Sequence, residues 1–172
     1  MNPDGIAYLD MGDAYWRGDW SMALNSYWSP LYSWVLGLAL LILRPSAPWE
    51  YPAVHLVNFL IYLGAAASFD FFWRSCLYRA PERSDRLIWP VWAWMTLGYT
   101  LFLWSTAELV SIRMVTPDMG VAALVYLASG LLLRIRNDAG RWLLFGLLGL
   151  VLGIAYLAKT AMFVLAFIFL GV

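Results

Sequence analysis

Residues 51–73 read YPAVHLVNFLIYLGAAASFDFFW, and Asp70 is the only acidic or basic residue among them apart from His55. A helix that crosses a bilayer needs about 20 mostly apolar residues, enough to span roughly 30 Å of hydrocarbon. The stretch Tyr51–Trp73 meets that requirement, and three others follow it: Leu87–Ala107, Pro117–Leu133 and Trp142–Ala158. A fifth apolar run begins near Ala161 and continues to the end of the sequence. The whole chain agrees, being 63% hydrophobic and 13% charged with a mean hydropathy of +0.69. Soluble domains are about half apolar and a quarter charged. The expected fold is all-α, a polytopic transmembrane helical bundle.

The 11 basic and 11 acidic residues cancel, so no electrostatic signature of a nucleic-acid partner is present. A single cysteine, Cys76, excludes an internal disulfide and is a poor metal ligand by itself. The start, MNPDG, has no basic segment leading into an apolar run, so it does not read as a signal peptide. Because the last apolar run stops before completing a crossing, the sequence reads as part of a longer membrane protein.

One apolar segment is too short to span. PLYSWVLGLALLIL, residues 30–43, covers about 21 Å at 1.5 Å per residue, and Pro30, Pro45 and Pro48 bound it. Trp28, Tyr32 and Trp34 gather at its start, where amphipathic rings prefer a membrane interface. It reads as an interfacial or re-entrant helix. A thin tilted span is the alternative, and would move residues 1–29 to the opposite side. The expected organisation is therefore an extracytoplasmic acidic loop with a short helix over 1–50, then a bundle of four complete spans and one truncated span over 51–172.

Arginines set the orientation. Arg74, Arg79, Arg83 and Arg86 follow the first span, and Arg134, Arg136 and Arg141 follow the third. Basic loops stay in the cytoplasm. With the short helix re-entrant, Asp4, Asp10, Asp13, Asp19, Glu108, Arg113, Asp118 and Lys159 then share the extracytoplasmic face. Ionisable groups at or in spans are functional candidates by default.

The order of several short motifs resembles the membrane glycosyltransferases of the GT-C superfold, which include protein O-mannosyltransferases and lipid A aminoarabinose transferases. Their opening loop carries an acid, a tyrosine, Gly-Asp-Trp and a Pro-Leu-Tyr type stretch. Here Asp4-Gly5, Tyr8, Gly18-Asp19-Trp20 and Pro30-Leu31-Tyr32 stand in that order. The run MVTPDMGVAALVYL is similar to the family's second acid at the start of a span, matching Asp118. GIAYLAKTAMF is similar to its Gly-Leu-x-x-Leu-x-Lys-Gly stretch, matching Lys159. The resemblance implies transfer of a sugar from a polyprenyl-phosphate carrier to an acceptor on the outer face of a membrane, of the bacterial inner (plasma) type. It depends on no nucleic acid and allows a divalent metal ion. Two departures weigh against a metal site of the family's kind: Gly5 stands where many relatives have a second acid, and Trp28-Ser29 where many have a charged pair.

Such a transfer needs a base for the acceptor and a cation near the phosphate leaving group. Asp4 and Asp118 are the expected catalytic acids and Lys159 the phosphate ligand, with Tyr8, Asp19, Arg113 and His55 as secondary candidates. Each residue also has a plainer reading. Asp4 suits a helix N-cap, Asp118 complements a helix dipole, and Lys159 can snorkel to the surface. Asp19 suits a turn or helix start, while Asp10 and Asp13 suit a solvated helix face. Glu108 and Arg113 suit a surface pair, and His55 with Asn58 suits hydrogen bonding between helices. Asp70, four residues before Arg74, reads as an ion pair at a span end. No Gly-rich phosphate loop, HExxH motif or Ser–His–Asp arrangement supports another chemistry.

Overall fold

The computed structural model describes residues 3–24, 27–78, 89–109, 114–137 and 142–171. Among them every regular element is an α-helix: α1 Pro3–Arg17, α2 Trp20–Ala23, α3 Pro30–Leu43, α4 Ala47–Tyr78, α5 Val91–Glu108, α6 Asp118–Asn137, α7 Trp142–Ala158 and α8 Met162–Leu170. Arg79, Arg83, Arg86, Arg113 and Arg141 lie outside the described residues.

Two of these helices, α4 and α6, are long and apolar enough to cross a membrane. The 18-residue α5 carries Trp92, Trp94, Thr96, Tyr99 and Thr100, which lower its hydropathy, and the 17-residue α7 is apolar but short. Helix α4 extends beyond the expected Tyr51–Trp73 at both ends. Pro48 falls in its first turn, where no backbone N–H is needed, and Pro52 is accommodated one turn later. Chain breakers within the first turns of a helix thus do not mark its start. The short segment folds over Pro30–Leu43, with Pro30 at its first position and Arg44 closing it in the left-handed region at φ 46.

Helices α4 and α6 lie side by side and run parallel, with Ile61 near Gly120, Phe69 near Tyr126 and Phe71 against Gly130. The chain returns between them through α5, which packs on α4 through Phe69, Phe102 and Tyr99. Its Gly98 leaves room for the Trp73 ring, whose indole N–H donates to the Trp94 carbonyl at 3.1 Å. Helix α7 folds back along α6, burying Ala128, Leu131 and Ile135 against Leu148, Val151 and Leu152. Large apolar side chains such as Leu60, Leu101, Trp104, Leu150 and Phe167 remain exposed on the outside of the packed helices.

The first 50 residues do not form a core of their own. Tyr8 and Leu9 of α1 and Tyr32 and Leu36 of α3 pack with Val54, Val57 and Val115 in one buried cluster. Tyr32 Oη donates to Asn58 Oδ1 at 2.6 Å, and Asn58 Nδ2 donates to the Met114 carbonyl at 3.3 Å. Asn58 therefore makes the expected interhelical bond, to α3, and a second bond to the segment that precedes α6. His55 does not share them: its ring sits edge-on to Tyr51, centroids 4.3 Å apart.

Helices α1 and α3 touch backbone to backbone. A Cβ on Gly12 would stand 2.7 Å from the Ser33 carbonyl oxygen, and one on Gly37 would stand 2.6 Å from the Gly12 carbonyl oxygen and 2.5 Å from Trp16 Cδ1. Backbone atoms cannot move aside as a flexible side chain can. Gly12→Ala and Gly37→Ala are each expected to destabilise the protein by about 1–3 kcal/mol, measured by chemical denaturation in detergent. Gly149→Ala, where a Cβ meets nothing within 4 Å, is expected to leave stability unchanged or slightly raised.

Candidate functional site

Helix α6 is 20 residues long, about 30 Å at 1.5 Å per residue. Its last turn carries Arg134 and Arg136, and Arg134 lies over the Phe71 ring of α4 at 4.5 Å. Nearby, Arg74 pairs with Asp70 at 2.7 Å, and Tyr99 Oη also donates to that carboxylate. The basic end of the bundle is thus one helix length from the end at which α6 begins.

At the α6 start lies a cleft of about 300 Å³, lined by Asp4 and Tyr8 of α1, Tyr27–Ser29, Thr116–Asp118 and Ala158–Ala161. Four sequence candidates meet here from distant parts of the chain: Asp4, Tyr8, Asp118 and Lys159. Asp4 lies within the first turn of α1 rather than at its cap, because Pro3 already begins the helix. A carboxylate there is favoured by the helix dipole. Pro117 precedes α6 in the same way, its carbonyl accepting from Val121 N at 2.9 Å, so Asp118 too sits at a positive helix end. Lys159 follows the last residue of α7, where a cation meets the negative end. Lys159 Nζ and Asp118 Oδ1 are 2.7 Å apart, with the two side chains 51% and 42% exposed.

Ser29 joins the loop before α3 to the turn after α7. Thr160 N–H donates to Ser29 Oγ at 3.2 Å, and the two hydroxyl oxygens are 3.3 Å apart. Helix α3 consequently has no side-chain cap from Ser29. Nothing in residue spacing marked Ser29, Thr116 or Thr160 as part of a site, since isolated hydroxyl residues carry no pattern. Ser29 stood out only as a departure from the glycosyltransferase motif.

Tyr8 is buried beneath this cleft, edge-on to Trp28 and Tyr32 with ring centroids 4.9 Å and 5.1 Å away. Burial first, and then the negative charges of Asp118 and Asp4, push its phenol from an ordinary value of 10.0 to about 12. It therefore remains an O–H donor at neutral pH. No group of three or more His, Cys, Asp or Glu side chains suited to a metal ion occurs among the described residues. Asp4 and Asp118 are the two acids of the cleft, and one is already paired, so these residues do not form a metal cage.

The remaining candidates lie elsewhere. Gly18 ends α1 at φ 73, and Asp19 caps α2, accepting from Ser21 Oγ at 2.7 Å and Met22 N at 3.4 Å. The Ser21 bond chiefly holds the Asp19 carboxyl below the usual range. Gly-Asp-Trp is thus a turn followed by a cap. Asp13 pairs with Arg17 at 2.6 Å, and Asp10 and Asp13 border a separate groove of about 450 Å³ with Arg44 and Glu50. His55 is not among the residues of the cleft, and Arg113 lies outside the described residues.

No family model, curated protein or solved structure matches this chain.

Because the Tyr8 phenol is held above its unfolded value, the stability it contributes is fully present below pH 10 and is lost as pH rises through about 12. Near pH 11 the ultraviolet tyrosinate absorption of the native protein and of Tyr8→Phe should coincide. More than about a tenth of a full tyrosinate signal from Tyr8 at that pH would contradict its buried, carboxylate-flanked position.

Proposed function

We propose that the chain is a membrane glycosyltransferase of GT-C type, or the N-terminal part of one, which moves a sugar from a polyprenyl-phosphate donor to an acceptor at the extracytoplasmic face. What carries the reading is the convergence of Asp4, Tyr8, Asp118 and Lys159 on one cleft at the bundle end opposite Arg74, Arg134 and Arg136. Two carboxylates, a neutral phenol and one ammonium form a set suited to that reaction. In the transfer the bond from the anomeric carbon to the phosphate oxygen breaks, and a bond to the acceptor atom forms. The acceptor proton passes to a carboxylate, Asp4 or Asp118. The electron pair leaves on the phosphate, whose charge Lys159 offsets as a point cation. No metal ion enters this scheme.

A second reading, a relative that binds lipid phosphate without transferring sugar, is favoured by Gly5 and by Trp28-Ser29, which leave the cleft with fewer charges than the family pattern. Sugar transfer measured in membranes from a labelled polyprenyl-phosphate sugar separates the two. Asp4→Asn and Asp118→Asn are expected to lower transfer by about 100-fold or more; unchanged transfer in both variants overturns the catalytic reading. Orientation has its own test in a Cys76→Ala background. A cysteine at position 10 should react with an impermeant maleimide on intact cells, and one at position 83 only after permeabilisation. The reverse pattern would put the cleft in the cytoplasm.

A further inference from the structure

We infer that Asp118 masks Lys159 in the resting protein, so that a phosphate head group gains the ammonium only by displacing the carboxylate, which is thereby released as a base. The inference rests on the reading of the cleft as a donor-phosphate site and concerns how that site is regulated. Its basis is geometric. Lys159 is the one cation among the described residues that line the cleft, and its Nζ already lies 2.7 Å from Asp118 Oδ1. A phosphate arriving at the same ammonium brings negative charge into contact range of that carboxylate, and the two anions repel.

The exchange is inexpensive. Both partners are about half exposed, and pairs of this kind contribute little in water. Asp118 stays stabilised after displacement, because it sits in the first turn of α6, where the positive end of the helix dipole favours a carboxylate. Lys159 is held by the turn after α7, where its own N–H donates to the Ala155 carbonyl at 3.0 Å and its carbonyl accepts from Met162 N at 2.9 Å. The backbone that carries the cation is therefore fixed independently of the anion the ammonium meets. One consequence is order: the donor binds first, and only then is Asp118 free to take a proton from the acceptor.

Equilibrium binding of a polyprenyl monophosphate to the full chain in detergent micelles tests the mask, with the uncharged polyprenol and free inorganic phosphate as comparison ligands. Asp118→Asn should bind the lipid phosphate more tightly, on the order of 2- to 5-fold, and Lys159→Met should reduce binding to the level of the polyprenol. Asp4→Asn removes a carboxylate from the same cleft without touching the ion pair, and should give a smaller gain than Asp118→Asn. An equal gain from Asp4→Asn reduces the effect to net charge and overturns the mask. So does unchanged or weaker binding by a folded Asp118→Asn protein, with helical content checked by circular dichroism. If Lys159→Met also binds as the native protein does, the donor-site reading itself fails, which is a different result. Inorganic phosphate that competes equally well would show that the cleft reads the phosphate and not the lipid.

Discussion

The parallel packing of α4 against α6 is the constraint on which the remaining arrangement depends. Two neighbouring helices can run parallel only if the chain between them returns the full length of the bundle, and α5 makes that return. Small residues permit the contact: Gly130 accepts the Phe71 ring and the α4 backbone at Phe72, and Ala65 and Ala128 are fully buried. Small residues at the contact let the two helix backbones approach closely, which enlarges the packing between apolar helices. Once α4 and α6 are parallel, their C-terminal arginines share one end. The start of α6 then lies at the other, beside the end of the antiparallel α7.

This geometry brings helix ends of opposite dipole together. Asp118 stands at a positive end and Lys159 at a negative one, so each charge is favoured by its own helix before the two meet. Helix α1 adds a third terminus, with Asp4 at its positive end. The cleft thus concentrates charge where three helix termini and a loop converge, while the flanks of the bundle stay apolar. Tyr8 closes the floor with a hydroxyl that burial and both carboxylates keep protonated. Ser29 and Thr160 tie the loop before α3 to the turn that carries Lys159.

Not every acid of the opening stretch takes part. Helical geometry turns Asp4 and Tyr8 toward the cleft and Asp10 and Asp13 toward a different groove, so one short helix presents carboxylates to two environments. Asp19 is absorbed by local structure, because Gly18 breaks α1 and the next helix needs a cap. The crossing of Gly12 and Gly37 holds α1 against α3 at backbone distance. It thereby sets how far Asp4 stands from the rest of the site.

The helical class, the apolar segments near residues 51–73 and 117–133, and the short helix between its prolines were legible from sequence. Each depends on local composition: hydropathy summed over a window, and the missing N–H of proline. The individual candidates Asp4, Asp118 and Lys159 could be named as well, since charges in so apolar a chain stand out. Their meeting in one cleft could not be read from spacing, because it depends on the parallel α4–α6 contact and on the return of α7. Nor could the sequence reveal that Lys159 would already be held by Asp118, or that Ser29 would bond to Thr160 instead of capping its own helix. Hydrogen bonds and ion pairs between residues far apart in the chain exist only after packing has brought helix ends together, and it was the tertiary structure that decided them.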